Sequence, residues 1–263
     1  MKMNRLFWAA AALTLFFVLS CAGNLELRKR QEETTRDLGE VHMGRGDYIS
    51  ALREFLKAEK IYPDDPYLQN DLGLLYKKKE RFDLSITHFK RALALKPDYA
   101  DAKNNLGTVY MAQEDWDTAI VVFKEITGDL LYATPQNPLF NLGLAYYHKN
   151  AYEPAEKYFN DCLKYYQDGF RKDITYIKTL YHLGRIYLSS ERIPQAVSVL
   201  EKAIQDAPRA AELYLYLGNA HTLSRDYQKG LNAYNKVIEL APDTPLAREA
   251  KEKAASIKNL NPK

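Results

Sequence analysis

The chain has 263 residues, 46% of them hydrophobic and 27% charged, with a formal net charge of +3. Removing Lys2 and Arg5 with a leader brings that charge closer to zero, which excludes the strong positive field that nucleic-acid binding requires. Two cysteines, one of them inside the apolar N-terminal stretch, leave no disulfide framework, so the fold must hold by packing.

Residues 1–20 read as a lipoprotein signal peptide. Lys2 and Arg5 form a short basic start, and Leu6 to Leu19 is apolar apart from Thr14. That stretch is short for a membrane span, which needs about 20 residues, and suits a secretory leader. Its end, Val18-Leu19-Ser20-Cys21, resembles the bacterial lipobox, in which the cysteine is acylated and becomes the mature N-terminus. A plain leader, or an N-terminal anchor helix with an incidental cysteine, is the competing reading. Acylation at Cys21 would attach more lipid than the two signals that stable anchoring takes. Ala22 stands where an aspartate would hold an enterobacterial lipoprotein in the inner membrane, which points to the outer one. Residues 21–31 form a lipidated tether. It reaches at most roughly 35 Å if extended, or is itself helical from about Leu25.

Beyond the tether one motif recurs: Leu72-Gly73-Leu74-Leu75-Tyr76, Leu106-Gly107-Thr108-Val109-Tyr110, Leu142-Gly143-Leu144-Ala145-Tyr146 and Leu183-Gly184-Arg185-Ile186-Tyr187. Leu38-Gly39-Glu40-Val41-His42 and Leu217-Gly218-Asn219-Ala220-His221 are weaker copies. Gly39, Gly73 and Gly107 are 34 residues apart, as are Gly184 and Gly218. This period, with a small residue and then an aromatic or leucine at fixed places downstream (Ser85 and Phe89, Ala119 and Phe123), is that of the tetratricopeptide repeat, a helix–turn–helix unit. The expected fold is all-α: a right-handed superhelical solenoid of six such helix pairs over residues 32–244, with a capping helix and tail over 245–263. No shift in composition marks a second domain. Gly107 to Gly143 is 36 residues and Gly143 to Gly184 is 41. The repeat 3–4 junction therefore carries an insertion, and so does 167–175, as a longer turn or as extensions of the flanking helices.

In repeat 2 the pattern predicts helices from about Tyr67 to Lys79 and from about Asp83 to Ala94, stopped by Pro97. Glycine in a helix interior costs about 1 kcal/mol against alanine. Its recurrence at one register calls for a close helix approach. Ser85 is expected to face Gly73, with Phe89 and Ala92 continuing the buried stripe. One pair cannot bury its apolar face alone, whereas stacked neighbours build a continuous core.

Nothing in the chain has the spacing of a catalytic or metal site. His42, His88, His148, His182 and His221 have no metal-type spacing, and there is no phosphate loop, Gly-x-Ser-x-Gly or Cys-x-x-Cys. No enzyme activity, cofactor, metal or small-molecule substrate is expected. His42 and His221 take the tyrosine slot and read as packing variants, and Cys162 as a buried thiol. What remains is the exposed face of each first helix, which would line the concave side of the solenoid. It offers a partner-binding groove of Met43, Tyr67, Asn70, Leu74, Asn104, Met111, Phe140, Leu144, Tyr147 and Tyr181. Lys178, Arg185, Leu188, Leu215, Asn219 and Leu223 share that face. Chaperone-binding repeats clamp a terminal carboxylate with Lys, Arg and Asn, but Glu40, Asp71 and Asp101 stand in the corresponding places here. An apolar groove with asparagines suits an amphipathic helix or an extended peptide, whose backbone Asn70 or Asn104 could bond. The competing reading is that Phe140, Leu144 and Leu215 pack between repeats.

Three features together resemble one family, the PilW/PilF type IV pilus biogenesis and stability lipoproteins, or pilotins. They are the order of lipobox, short tether and six repeats; Lys103-Asn104-Asn105-Leu106-Gly107 opening repeat 3; and Asp129-Leu130-Leu131-Tyr132-Ala133-Thr134-Pro135 followed by Phe140-Asn141-Leu142-Gly143-Leu144. The resemblance covers residues 32–165. Leu130 replaces the family's usual proline, Tyr110-Met111 replaces a pair often containing cysteine, and the 167–175 insertion is unusual. The resemblance implies an outer-membrane adaptor of a Gram-negative bacterium, lipid-anchored on the periplasmic face. It would bind the secretin subunit of the pilus machine through Met43, Tyr67, Leu74 and Met111 and promote its localisation or multimerisation. The alternative is a general envelope scaffold that recruits a protease or a peptidoglycan enzyme.

Overall fold

The structure, a computed structural model, describes the backbone of residues 2–127, 133–167 and 171–260, and the side chains of 23–127, 133–167 and 171–258. The side chain of Cys21, the signal-peptide side chains and the junction residues Asp129 to Tyr132 lie outside the described residues. Thirteen helices and no strand are found among those described. Two compact units divide the chain, residues 1–115 and 116–263. The division falls inside the third repeat, where the sequence shows no shift in composition.

Unit 1 holds α1 (Lys2–Gly44), α2 (Tyr48–Ile61), α3 (Pro66–Lys78), α4 (Phe82–Leu95) and α5 (Ala100–Ala112). The tether is therefore helical, continuous with the first helix of repeat 1. It is held by Arg28, whose Nε donates to the carbonyl of Ile61 at 2.9 Å. The core is built by Phe55, Leu68, Leu72 and Leu75, and farther along by Phe89, Leu106 and Val109.

Unit 2 holds α6 (Trp116–Lys124), α7 (Gln136–His148), α8 (Tyr152–Gln167), α9 (Ile174–Ser189), α10 (Ile193–Asp206), α11 (Ala211–Leu223), α12 (Tyr227–Leu240) and α13 (Pro245–Leu260). The expected insertions have different forms. Near the repeat 3–4 junction α6 stops after 9 residues. At the second insertion both flanking helices lengthen, α8 to 16 residues where α4, α10 and α12 have 14, and α9 to 16 where α3, α7 and α11 have 13. Asp173 anchors this bend. Its Oδ1 accepts from the Tyr176 N–H at 3.1 Å, which caps α9, and from the Tyr166 hydroxyl at 2.7 Å. In α13, Ala247, Ala250, Ala254 and Ile257 are buried, the last three packing with Tyr234 and Val237, while the rest of the helix is mostly polar. That arrangement suits a terminal cap.

The repeated glycine has a physical cause. A Cβ on Gly73 would lie 2.7 Å from the Phe89 ring, one on Gly143 2.6 Å from Phe159, and one on Gly218 2.5 Å from Tyr234. Gly184 faces Leu200 in the same way. Ser85 does meet Gly73, donating to its carbonyl at 2.7 Å, but the ring of Phe89 occupies the glycine's open face. Burying such a ring is worth roughly 2–3 kcal/mol, which outweighs the helix cost of the glycine.

The turn inside each pair is equally regular. Glu80, Asn150, Glu191 and Arg225 all have φ between 56° and 63°, and Gly46 has φ 76°. In each the next N–H returns to the tyrosine or histidine that ends the motif: Arg81 to Tyr76 at 2.9 Å, Arg192 to Tyr187 at 2.8 Å, Asp226 to His221 at 2.9 Å. This is a Schellman C-cap, with non-glycine residues in the left-handed position in every repeat but the first.

Candidate protein-interaction surface

In unit 1, Arg36 of α1 is 15% exposed and surrounded by carboxylates. It donates to Asp65 Oδ2 at 2.8 Å, its Nε lies 3.3 Å from Glu40 and 3.8 Å from Asp71, and Asp37 is 3.5 Å away. Asp65 also accepts from the Tyr67 and Leu68 N–H groups and so caps α3. Burial, with Asp65 close by, pushes the buried Glu32 carboxyl up to about 7. Asp71 is raised too, by burial and by Glu40 beside it. Glu40 and Asp71, which argue in the sequence against a terminal-carboxylate clamp, thus belong to an internal ion cluster.

The expected groove residues of this unit take different places. Tyr67 is 44% exposed and accepts from Lys96 Nζ at 2.9 Å, with Tyr99 edge-on at 5.3 Å and Arg36 at 5.6 Å from its ring. Asn70 is 6% exposed and accepts from Asn105 Nδ2 at 3.0 Å, so it joins repeats 2 and 3. Met43 and Leu74 are half-buried against the two core clusters of the unit. Asn104 and Met111 are half-buried on α5. Lys77, beside Leu74, reaches Thr108 Oγ1 at 2.6 Å.

In unit 2 the corresponding face is aromatic. His182 of α9 stacks on Phe159 at 5.5 Å, with Tyr147 at 5.3 Å, Tyr181 at 5.1 Å and Phe140 at 6.0 Å around it. Burial, reinforced by the Arg185 charge, pushes its pKa down to about 3. One turn on, the Arg185 guanidinium lies 5.1 Å from the Tyr147 ring, 5.5 Å from Tyr181 and 5.4 Å from Tyr216. Two cavities open along the α9–α11 seam. One of about 350 Å³ is mostly apolar, with Phe140, Leu144, Ile177, Tyr181 and Leu213 in its wall. The other, of about 540 Å³, is lined by Arg185, Leu188, Tyr216, Asn219, Leu223 and, from α13, Lys253. Four expected groove residues, Phe140, Leu144, Tyr147 and Tyr181, therefore come together here. The partial burial of Phe140 and Leu144 shows that they also pack against the core.

Tetratricopeptide-repeat profiles match residues 76–114, 137–168 and 181–245. The chain is a tetratricopeptide-repeat solenoid. Its fold is similar to that of PilW, a type IV pilus biogenesis factor, with a TM-score of 0.74 and 18% identity over 84% of this chain and 98% of that one. Pseudomonas aeruginosa PilF matches with the same TM-score and identity, over 86% and 99%. The mouse BBSome complex member BBS4 is 31% identical over 211 residues, 80% of this chain and 38% of that protein. The chain thus spans about two-fifths of the length of that curated relative.

Repeats of this kind present binding surfaces for other proteins. Among the described residues no group of three or more His, Cys, Asp or Glu could hold a metal ion, and no helix is long and apolar enough to cross a membrane. Cys162 is fully buried, 3.5 Å from Thr179 Oγ1, and burial pushes its thiol up to about 11. His221 is buried and His42 half-buried beside Asp47 at 3.5 Å. Sequence reasoning missed the Arg36 cluster and the tyrosines around Arg185. Arg185 stood on the expected face, but nothing in the pattern tells which side chains surround it.

Proposed function

We propose that this solenoid is a lipid-anchored envelope adaptor of a type IV pilus machine. It binds the secretin subunit and promotes its arrival or ring formation at the outer membrane. The observation that carries the reading is the match of the whole repeat array to PilW and PilF, over 98% and 99% of those chains. It is supported by the lipobox-like Val18 to Cys21 and by the family-like segments around Asn104 and Asp129. In this mechanism the acylated Cys21 supplies the membrane address, and the repeats cover an aggregation-prone segment of the subunit until it assembles. The work is done by binding, so no reacting group is required. Met43, Tyr67, Leu74 and Met111 would contact the partner from unit 1, and Phe140, Leu144, Tyr147 and Tyr181 from unit 2.

The test is an immunoblot of secretin multimers from outer membranes of a deletion strain and of a Cys21→Ser strain. Loss of multimers in the first, and reduced or mislocalised multimers in the second, are expected. Normal multimers and normal pili in both would remove the pilus reading. They would leave a general envelope scaffold, which the similarity to a member of an unrelated assembly also accommodates.

A further inference from the structure

Arg185 is a half-buried cation. Its near neighbours are three tyrosine rings, and among the described residues it forms no ion pair with a carboxylate. The rings stabilise the guanidinium through their faces while leaving most of its donors unused. Its hydrogen bonds run to tyrosine hydroxyls, to Tyr181 at 3.5 Å and to Tyr147. The rest of the cavity is biased the same way. Asn219 Oδ1 accepts from the Tyr234 hydroxyl at 2.9 Å, so the group Asn219 has left to offer is its Nδ2 donor. Lys253, which pairs with Glu249 at 3.6 Å, adds a second cation at the rim, and no Asp or Glu lines the cavity itself. At its edge Leu223 is 61% exposed. A space with one guanidinium not paired to a carboxylate, an amide donor and apolar walls is complementary to a carboxylate carried on an apolar segment.

The neighbouring cavity lies farther back along the same seam, where Ile177, Leu144 and Leu213 form an apolar wall bordered by Lys178 and Glu212, and Ile174 is 65% exposed at the rim. Ile177 and Arg185 are eight positions apart on α9, which is about 12 Å at 1.5 Å per residue. An extended chain rises about 3.3 Å per residue, so it covers that distance in roughly three to four residues.

We propose that the α9–α11 seam binds an extended segment of a partner protein in which an aspartate or glutamate, received by Arg185, stands three to four residues from a large apolar side chain held against Ile177, Leu144 and Leu213. The tyrosine rings form a recess around the guanidinium. A carboxylate on a side-chain stem enters it while the partner's main chain stays across the seam, which is why an internal acidic residue is the occupant. The proposal stands whether or not the partner belongs to a pilus machine.

The experiment is selection of amidated random dodecapeptides on the full chain in detergent micelles, followed by fluorescence anisotropy of the enriched peptides. The expected result is enrichment of peptides with Asp or Glu three to four residues from Leu, Ile or Phe. Replacing that acid by its amide in the peptide should weaken binding at least tenfold, as should Arg185→Gln in the protein, with unchanged circular dichroism. The peptide substitution needs no protein variant and decides the matter even if Arg185→Gln does not fold. Enrichment of peptides without an acid, equal binding of acid and amide forms, binding that requires a free C-terminal carboxylate, or no enrichment over an unrelated helical protein would each overturn the proposal.

Discussion

In unit 1 the arginine on the first helix of repeat 1, Arg36, is enclosed by Asp37, Glu40, Asp65 and Asp71; in unit 2 the arginine of repeat 5, Arg185, is enclosed by Tyr147, Tyr181 and Tyr216. The scaffold around them is the same: paired helices, a glycine against a large apolar side chain (Phe55 or Leu200), a Schellman turn. One repeat geometry therefore accommodates two electrostatic solutions. In the first the cation is consumed internally, neutralising acids that would otherwise repel one another in a poorly hydrated place. In the second the cation is held by ring faces and kept available. The difference teaches that a charge on the interaction face of such a repeat says little until its neighbours are known.

The largest effect should separate the two arginines. Arg36→Met leaves a group of buried carboxylates without a cation and should cost unit 1 about 3 kcal/mol. Arg185→Met removes no ion pair and should cost under about 1 kcal/mol. Hydrogen exchange of α3 and α9 amides measures each unit separately. Equal losses at the two sites would end the comparison.

Next in size is a change the two units should feel alike. Gly73→Ala in unit 1 and Gly143→Ala in unit 2 force a Cβ into Phe89 and Phe159, and each should cost about 2 kcal/mol. Thermal unfolding of both variants checks this. A neutral result at either site would mean that the ring moves aside.

The pH response should run in opposite directions. Glu32, with a folded pKa of about 7, is protonated in the native state at pH values where the unfolded carboxyl is already ionised. Stability from this group is therefore full below the ordinary carboxylate value near 4.5 and falls as the pH rises to about 7. Asp71 acts in the same direction. His182, with a folded pKa of about 3, stays neutral while the unfolded imidazole takes up a proton below 6.5, so its stability is lost as the pH falls through that range. His88, half-buried and donating to Gln69 Oε1 at 2.7 Å, opposes the acids within unit 1. The variants therefore isolate the effect better than the wild type does. Asp71→Asn should increase protection of α3 at pH 8 more than at pH 5, and His182→Phe should increase protection of α9 at pH 5 more than at pH 8. The same pH trend in both variants would contradict the assignment.

The smallest effect concerns the turns. Glu191 at φ 56° pays the left-handed strain that glycine does not, so Glu191→Gly should stabilise unit 2 by about 0.5–1 kcal/mol. Urea unfolding would resolve it, and a loss of stability would show that the glutamate side chain does more than occupy the turn.

Much of the fold was legible in the chain. The spacing of Gly39, Gly73, Gly143, Gly184 and Gly218 locates the helix pairs to within one or two residues, because each glycine marks the crossing of two helices and its partner follows sixteen positions later, as Phe89 follows Gly73. Lengths between glycines also reveal the insertions, though not that the second would lengthen α8 and α9. The candidate site was legible only as a face. Helical period places Tyr147, Tyr181 and Arg185 on it, but period is a property of one helix, and what surrounds a side chain is supplied by others far along the chain. Asn70 illustrates the limit: on the expected face by spacing, it is used by Asn105 of the next repeat.

The sequence by itself determined the repeat, the helix boundaries of repeat 2 and the buried stripe, because these follow from local periodicity and from the volume of one residue against another. Only the tertiary structure decided that Arg36 is neutralised by acids from α1 and α3 while Arg185 is left to tyrosines from α7, α9 and α11. Electrostatic environment depends on distances between helices, which no spacing within a helix records.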